Sequence, residues 1–241
     1  NGVWIIRNRA LRQGTRPEGI YYSSDALEWR HNTGPGGAGN ASLSLTEGHL
    51  SYKNIIHFKG MWLWAVTQWQ KYSYTEKGFF TDTTKTDTYN KTILFGAKTL
   101  GDAWQRWDQS PQFNEGVELN NICSLPGDNA LLAFCEYSSS YIRNKKKPDT
   151  PSFVMYFGAA KSWQTCGWDG SRRFYASDMP FFVQQDDRLM CFISGEILVS
   201  PKGYDWARQE TRLRVDKHLA LQEVNLFTES NGSAVYLSQD G

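Results

Sequence analysis

The feature that most constrains this chain is a short motif that occurs four times: a strand, a tight polar turn and a second strand that opens on tryptophan. The clearest copies are IYYSSDALEWR at 20–30 and EILVSPKGYDWAR at 196–208, and looser copies stand at 93–107 and 154–168. Their marker tryptophans are Trp29, Trp104, Trp163 and Trp206. Recurrence of one supersecondary unit indicates a repeat architecture.

A second hairpin pattern falls between successive markers. Strand–turn–strand segments occupy 54–69, 121–137, 179–194 and 224–238. The last three begin 17, 16 and 18 residues after the preceding marker tryptophan, and the first begins 25 residues after its marker. The chain is therefore interpreted as units of four short strands, A to D, with a short A–B turn and the marker turn between C and D. We expect a loop at 210–224, where helical periodicity is weak.

Four-stranded antiparallel sheets repeated about an axis form a β-propeller. We therefore predict an all-β propeller of about five blades, with incomplete blades at both termini. Blades bury both faces, which explains why MWLWAV at 61–66 and FVMYFGAA at 153–160 are apolar almost throughout. We expect residues 1–241 to form one propeller domain excised from a longer chain. A β-sandwich is the alternative fold.

The marker turns share a pattern, Ser-x-Asp-x-x-x-Trp in one copy and Ser-x-x-Gly-x-x-Trp in another: Ser23, Asp25 and Trp29, then Ser200, Gly203 and Trp206. This pattern resembles the Asp-box, or BNR repeat, of sialidase-like propellers. The resemblance implies a structural role, in which Ser and Asp bond the backbone of their own turn and the tryptophan packs beneath it. The Phe/Tyr-Arg-Ile-Pro segment of sialidases is absent. No catalytic residue is carried over, and a protein that is not an enzyme is favoured.

Charge and residue spacing exclude several classes of function. Lys and Arg total 26 against 25 Asp and Glu, so nothing attracts the whole chain to nucleic acid or to an anionic membrane. No apolar run is long enough for membrane insertion. The four cysteines and four histidines lack metal-ligand spacing, and we expect no metal and no cofactor. Cys135 and Cys191 lie in apolar runs and are interpreted as buried free thiols rather than disulfide partners.

Strand order predicts where a binding site lies. In a meander, the A–B and C–D turns share one edge, and the B–C and D–A connections lie at the opposite edge. The long connections are of these two kinds: B–C loops at 69–91, 138–149 and 8–18, and a D–A loop at 31–49. Loops on a rigid scaffold commonly carry function, so we expect the site on the edge opposite the marker turns.

The candidate ligand-binding residues lie in two of these loops: Trp69, Tyr72, Tyr74, Phe79, Tyr89, Arg143 and Lys146. Aromatic rings among polar groups suit stacking on sugar rings or anchoring in a protein interface. Basic residues at 143–147 suit an anionic glycan. The alternatives are a compact loop that buries its own aromatics and a solvated basic loop. For an enzyme, the candidate acids are Glu136, Asp178 and Glu196, each of which also fits an ordinary surface acid.

These observations favour a non-catalytic binding propeller that recognises a glycan or a protein surface, as part of an adhesin, a lectin or a phage or virion tail protein. Such proteins work outside the cell or on a virion surface, often in larger assemblies. The rivals are a sialidase-like glycoside hydrolase or lyase, which requires a deep axial pocket with paired carboxylates, and a structural ring within an assembly.

Overall fold

The computed structural model describes residues 3–8, 19–35, 50–111, 116–137, 152–169, 174, 180–185, 187–210, 215–220, 225–229 and 235–238. The regular structure in these ranges is β-strand, apart from a 3-10 turn at Pro126–Asp128. The predicted all-β class is confirmed. The chain divides into two compact units, Asn1–Glu115 and Gly116–Gly241, here called the N-terminal and C-terminal units.

The N-terminal unit contains two antiparallel sheets. The first has the order β1-β2-β3, formed by Trp4–Asn8, Gly19–Ser23 and Arg30–Asn32. The second is a meander in chain order, β4 to β7, formed by Leu50–Phe58, Met61–Glu76, Thr83–Ala97 and Gln105–Arg106. Lys59 and Gly60 join β4 to β5 with φ values of 47° and 75°. Two positive φ values suit a type I′ turn, whose twist matches that of a hairpin.

The C-terminal unit contains three sheets. The first is a meander of β8 to β11, formed by Val117–Ser124, Leu131–Tyr137, Ser152–Phe157 and Trp163–Thr165. The second is a meander of β13 to β16, formed by Phe181–Gln185, Arg188–Ile193, Glu196–Ser200 and Asp205–Arg208. The short strand β12, Gly167–Trp168, adds to this sheet by pairing in parallel with β16. The third has the order β17-β18-β19, formed by Val215–Ala220, Asn225–Glu229 and Val235–Ser238.

The predicted repeat is visible in this strand order. The described strands form five sheets, and the middle three each contain four consecutive antiparallel strands. Each marker tryptophan stands at the start of the last strand of its meander: Trp29 directly before β3, Trp104 directly before β7, Trp163 at the first residue of β11 and Trp206 at the second residue of β16.

The third sheet of the C-terminal unit corrects one expectation. Residues 210–224, expected to be a loop, contain β17, which pairs with β18 from Val215↔Glu229 to Ala220↔Asn225. Backbone pairing with a neighbouring strand outweighs a weak local signal. Consequently 224–238, which does supply two strands, holds the second and third strands of its sheet rather than the first and second. Its third strand ends at Ser238, as β2 ends at Ser23 and β15 at Ser200.

The core of the N-terminal unit joins its two sheets. Ile20 of β2 packs with a cluster from the second sheet: Trp64, Val66, Phe95, Ala97, Leu100 and Trp104. The rings of Trp64 and Trp104 meet edge to face at 5.2 Å. A side chain at Gly34 would lie 2.5 Å from the Trp64 ring, so the chain requires glycine there. In the run at 61–66, residues 63–66 are all buried and Met61 and Trp62 are partly buried, so both faces are covered over its last four residues. The run at 153–160 is not covered throughout, because only Val154, Phe157 and Gly158 are buried there.

The core of the C-terminal unit joins its first two sheets. Buried side chains of β9 and β10, including Phe134 and Val154, pack with Cys191, Leu198 and Trp206 of the next sheet. All four cysteines are free, and Cys135 and Cys191 are fully buried, as predicted.

Candidate functional site

Side chains within the turn between β2 and β3 close it. The Ser23 hydroxyl accepts hydrogen bonds from the N–H groups of Asp25 and Ala26, at 3.3 and 2.9 Å, and donates one to Asp25 Oδ1 at 2.8 Å. The same Oδ1 accepts hydrogen bonds from the N–H groups of Leu27 and Glu28, at 2.8 and 3.0 Å. The hydrogen bonds from Glu28, Leu27 and Ser23 hold the pKa of Asp25 below its ordinary value.

The turn between β15 and β16 shares the serine and tryptophan hydrogen bonds of the first turn, but Lys202 stands where the first turn has Asp25. The N–H of Gly203 donates to Ser200 Oγ at 2.9 Å, and the indole N–H of Trp206 donates to the Gly203 carbonyl oxygen at 3.0 Å. In the first copy Trp29 makes this bond to the Ala26 carbonyl oxygen at 3.2 Å. Ala26 and Gly203 stand three residues after their serines and both have left-handed backbones, with φ of 63° and 76°. We call residues 23–29 and 200–206 the Ser–Trp turns.

The two looser copies are closed differently. Between β6 and β7, Asp102 accepts a hydrogen bond from the N–H of Thr99 at 2.8 Å and donates its own N–H to the Thr99 carbonyl oxygen at 3.2 Å. Between β10 and β11, the N–H of Lys161 donates to the Gly158 carbonyl oxygen at 2.9 Å. All four turns are therefore closed by local hydrogen bonds, which fits a structural role for this motif.

The burial of the marker tryptophans is uneven. Trp104 and Trp206 are buried, with exposed fractions of 0% and 3%, and Trp163 is partly buried. Trp29 is 37% exposed, which corrects the expectation that it packs beneath its turn. Residues 24–28 of its turn are exposed as well, so this indole bonds the turn at the protein surface.

The segment 69–91, expected to be an irregular loop, is a two-stranded β-ribbon. β5 pairs with β6 without a register shift from Trp62↔Ala97 to Glu76↔Thr83. The pairing of β4 with β5 begins only at Leu50↔Gln68, and β7 pairs with β6 only at Phe95 and Gly96. In the described structure, residues 69–76 and 83–90 therefore pair only with each other. We call 69–90 the ribbon, and its turn at 77–82 closes it.

The structure brings five of the predicted ligand-binding residues onto the ribbon. Trp69 and Tyr72 lie in β5, opposite Asn90 and Asp87, and Tyr89 lies in β6. Tyr74 is partly buried, and Phe79 lies at the turn. Arg143 and Lys146 lie outside the described residues, so the structure does not bring the basic loop together with the ribbon.

The end of the ribbon presents two phenylalanines, Phe79 and Phe80, here called the tip. Their side chains are 95% and 91% exposed, and their rings meet edge to face at 5.1 Å. Behind the tip, Lys85 and Glu76 form a cross-strand ion pair, which raises the pKa of Lys85. Lys77 and Asp82 flank the turn, so the charges around the tip balance. Phe80 also belongs to the aromatic residues of 69–91, but its exposure cannot be predicted from its neighbours in the chain.

The described carboxylates considered for catalysis, Glu136 and Glu196, lie on different strands. Glu136 is partly buried near the end of β9, Glu196 is buried at the start of β15, and Asp178 lies outside the described residues. Among the described residues, no cluster of three or more His, Cys, Asp and Glu side chains is arranged to hold a metal ion. No helical segment of the described ranges has the length and apolar composition to cross a bilayer.

Comparison with known proteins adds no family to these observations. Neither the protein-family models nor the curated proteins include a match to this chain.

Proposed function

We propose that this protein is a non-catalytic binding module that engages a protein surface through the tip of its ribbon. The observation that carries the proposal is the exposure of Phe79 and Phe80, which are 95% and 91% accessible at the end of a projecting ribbon. Adjacent exposed aromatics on a soluble protein commonly mark an interaction site. Large aromatic side chains are also the usual anchors of protein interfaces.

The scaffold we propose is a β-propeller of about five blades. Five consecutive sheets, three of which contain four consecutive antiparallel strands, support it. Further support comes from the marker tryptophan, which holds the same place in four of the sheets. In such a scaffold the blades supply rigidity, and an elongated B–C hairpin projects from one blade as the recognition element.

The ribbon itself supports an interaction role. A two-stranded hairpin without a covering layer is only marginally stable in water. From Ser73 to Thr86, the described side chains are exposed except for Tyr74. The ribbon therefore adds little to the stability of the fold, and we infer that its role is binding. Balanced charge around the tip favours an apolar pocket on a protein over an anionic surface.

Photo-crosslinking tests this proposal. p-Benzoylphenylalanine is placed at position 79, and at position 27 as a matched control, because Leu27 is 83% exposed on a Ser–Trp turn. We expect a discrete cross-linked partner from position 79 that unlabelled wild-type protein displaces and the F79S/F80S protein does not. Equal cross-linking from position 27, or displacement by F79S/F80S, would contradict the proposal.

A further inference from the structure

A cavity of about 310 Å³ lies in the N-terminal unit, where the first Ser–Trp turn meets two turns of the second sheet. Trp62 follows the β4–β5 turn and Thr99 lies in the β6–β7 turn, and both line this cavity. The first sheet contributes Tyr22, Asp25, Glu28 and Arg30. The volume falls in the range of small-molecule sites, which combine apolar walls with a few polar groups.

Hydrogen bonds between the two sheets fix the walls. The Asn32 side-chain amide donates to the carbonyl oxygens of Leu100 and Asp102, at 2.8 and 2.9 Å. Asn32 Oδ1 in turn accepts the N–H of Gly34 at 2.8 Å. Gly101 allows close approach of the second sheet, because a side chain there would meet the Tyr22 hydroxyl at 2.6 Å. The β6–β7 turn is thus tied to the first sheet, and the cavity exists before any ligand binds.

Trp62 supplies the aromatic wall. Its side chain is partly buried, and its ring meets His57 edge to face at 5.1 Å. It also packs against the core cluster that contains Trp64 and Trp104. The indole is therefore held in one orientation while part of its surface faces the cavity.

Three charged groups supply the polar wall. Asp25 Oδ1 is occupied by its own turn, which keeps the carboxylate ionised and fixed. The Glu28 and Arg30 side chains have no hydrogen-bond or ion-pair partner among the described residues. Carboxylates accept hydrogen bonds and guanidinium groups donate them, so the pair suits a ligand rich in hydroxyl groups.

We propose that this cavity, here called the Trp62 cleft, binds one uncharged hexose residue of a saccharide. The apolar C–H face of the sugar lies on Trp62, and its hydroxyl groups bond Glu28 and Arg30. Two carboxylates against one guanidinium leave the cleft negative, which disfavours acidic sugars. The Trp62 cleft lies at the marker-turn ends of the sheets, opposite the edge that strand order predicts for recognition, and it is independent of the ribbon.

Ligand-observed saturation-transfer NMR tests the proposal with the methyl glycosides of glucose, galactose, mannose and N-acetylglucosamine, and with N-acetylneuraminic acid. We expect saturation transfer to at least one neutral glycoside and none to the acidic sugar. Glu28→Gln, an exposed substitution, weakens that binding about tenfold. Trp62→Ala abolishes it, with folding checked by circular dichroism.

The F79S/F80S protein is the matched control and keeps full saccharide binding, which separates this proposal from the ribbon proposal. Absence of transfer to every neutral glycoside would overturn the Trp62 cleft as a sugar site. Unchanged affinity in Glu28→Gln would overturn it equally, whether or not Trp62→Ala folds.

Discussion

The indole N–H of Trp206 donates a 3.0 Å hydrogen bond to the carbonyl oxygen of Gly203, three residues earlier in the chain. The bond ties the turn between β15 and β16 to the core, because the indole is only 3% exposed and belongs to the core cluster of its unit. Trp29 makes the equivalent bond to Ala26 at 3.2 Å while remaining 37% exposed. One motif therefore closes two turns with the same bond in two different environments.

The difference in burial predicts different energetic roles for the two tryptophans. Trp206→Ala leaves a cavity in the core of the C-terminal unit and lowers the free energy of unfolding by about 3–5 kcal/mol. Trp29→Ala removes a hydrogen bond and partial packing, at a cost of about 1–2 kcal/mol. Denaturant titration of both proteins measures the difference. Equal destabilisation would contradict the assigned burial.

The shared left-handed position predicts opposite effects of exchanging Gly and Ala. Gly203→Ala forces a side chain into a backbone with φ of 76° and against Leu125 and Leu189. We expect a loss of about 2–4 kcal/mol from strain and overpacking. Ala26→Gly relieves the same strain and stabilises the protein by about 0.5–1 kcal/mol. Thermal unfolding of the two variants checks the signs, and a stable Gly203→Ala protein would contradict this geometry.

The hydrogen bonds to Asp25 predict a pH dependence of stability. They lower the pKa of Asp25 in the folded protein, so the folded state binds this proton more weakly than the unfolded chain. Ionised Asp25 therefore stabilises the fold above the ordinary pKa of about 3.9, and this contribution is lost as pH falls through the lowered pKa. We expect Asp25→Asn to melt below wild type at pH 7 and the gap to close in acid. A gap that is constant with pH would contradict the assignment.

Burial predicts that the core thiols are unreactive. Desolvation raises the pKa of the Cys135 and Cys191 thiols, and burial with the nearby Asp205 charge raises the pKa of Cys166 to about 12. Because the thiolate is the nucleophile, we expect these three residues to react with iodoacetamide at pH 8 about 100-fold more slowly than in the unfolded chain. Peptide mass spectrometry after timed labelling gives the rates. Rapid labelling of Cys191 in the native protein would contradict its place in the core.

Part of this structure can be predicted from local sequence. The first Ser–Trp turn is predictable because the side chains of Ser23 and Asp25 bond backbone N–H groups of the same turn, so residues close in the chain determine its geometry. The run at 63–66 is predictable because strands covered on both faces lose polar alternation. Local sequence does not predict β17, because the strand depends on backbone pairing with β18 and its own residues carry only a weak strand signal.

The candidate sites are harder to predict from sequence, because they depend on contacts between segments that are distant in the chain. The sequence predicts a loop at 69–91 rather than the ribbon, because the Thr, Lys and Asp residues at 81–88 lack the apolar alternation of a half-buried strand. The sequence does not predict the Trp62 cleft, because its walls come from three turns. Trp62 lies in a run that indicates only core, and the bonds from Asn32 span 68 and 70 residues.

The measurement that tests the central claim most directly is the affinity of a ribbon-shortened protein for the partner cross-linked at position 79. Residues 71–88 are replaced by a short Gly/Ser link, which should leave folding intact because loop length costs little entropy. Lys202→Ala, on a Ser–Trp turn, is the matched control. By biolayer interferometry we expect the shortened protein to keep its melting temperature and bind at least about 100-fold more weakly, as loss of hot-spot aromatics predicts, while Lys202→Ala binds like wild type. A folded, ribbon-shortened protein that binds with unchanged Kd would contradict the claim that the ribbon carries recognition.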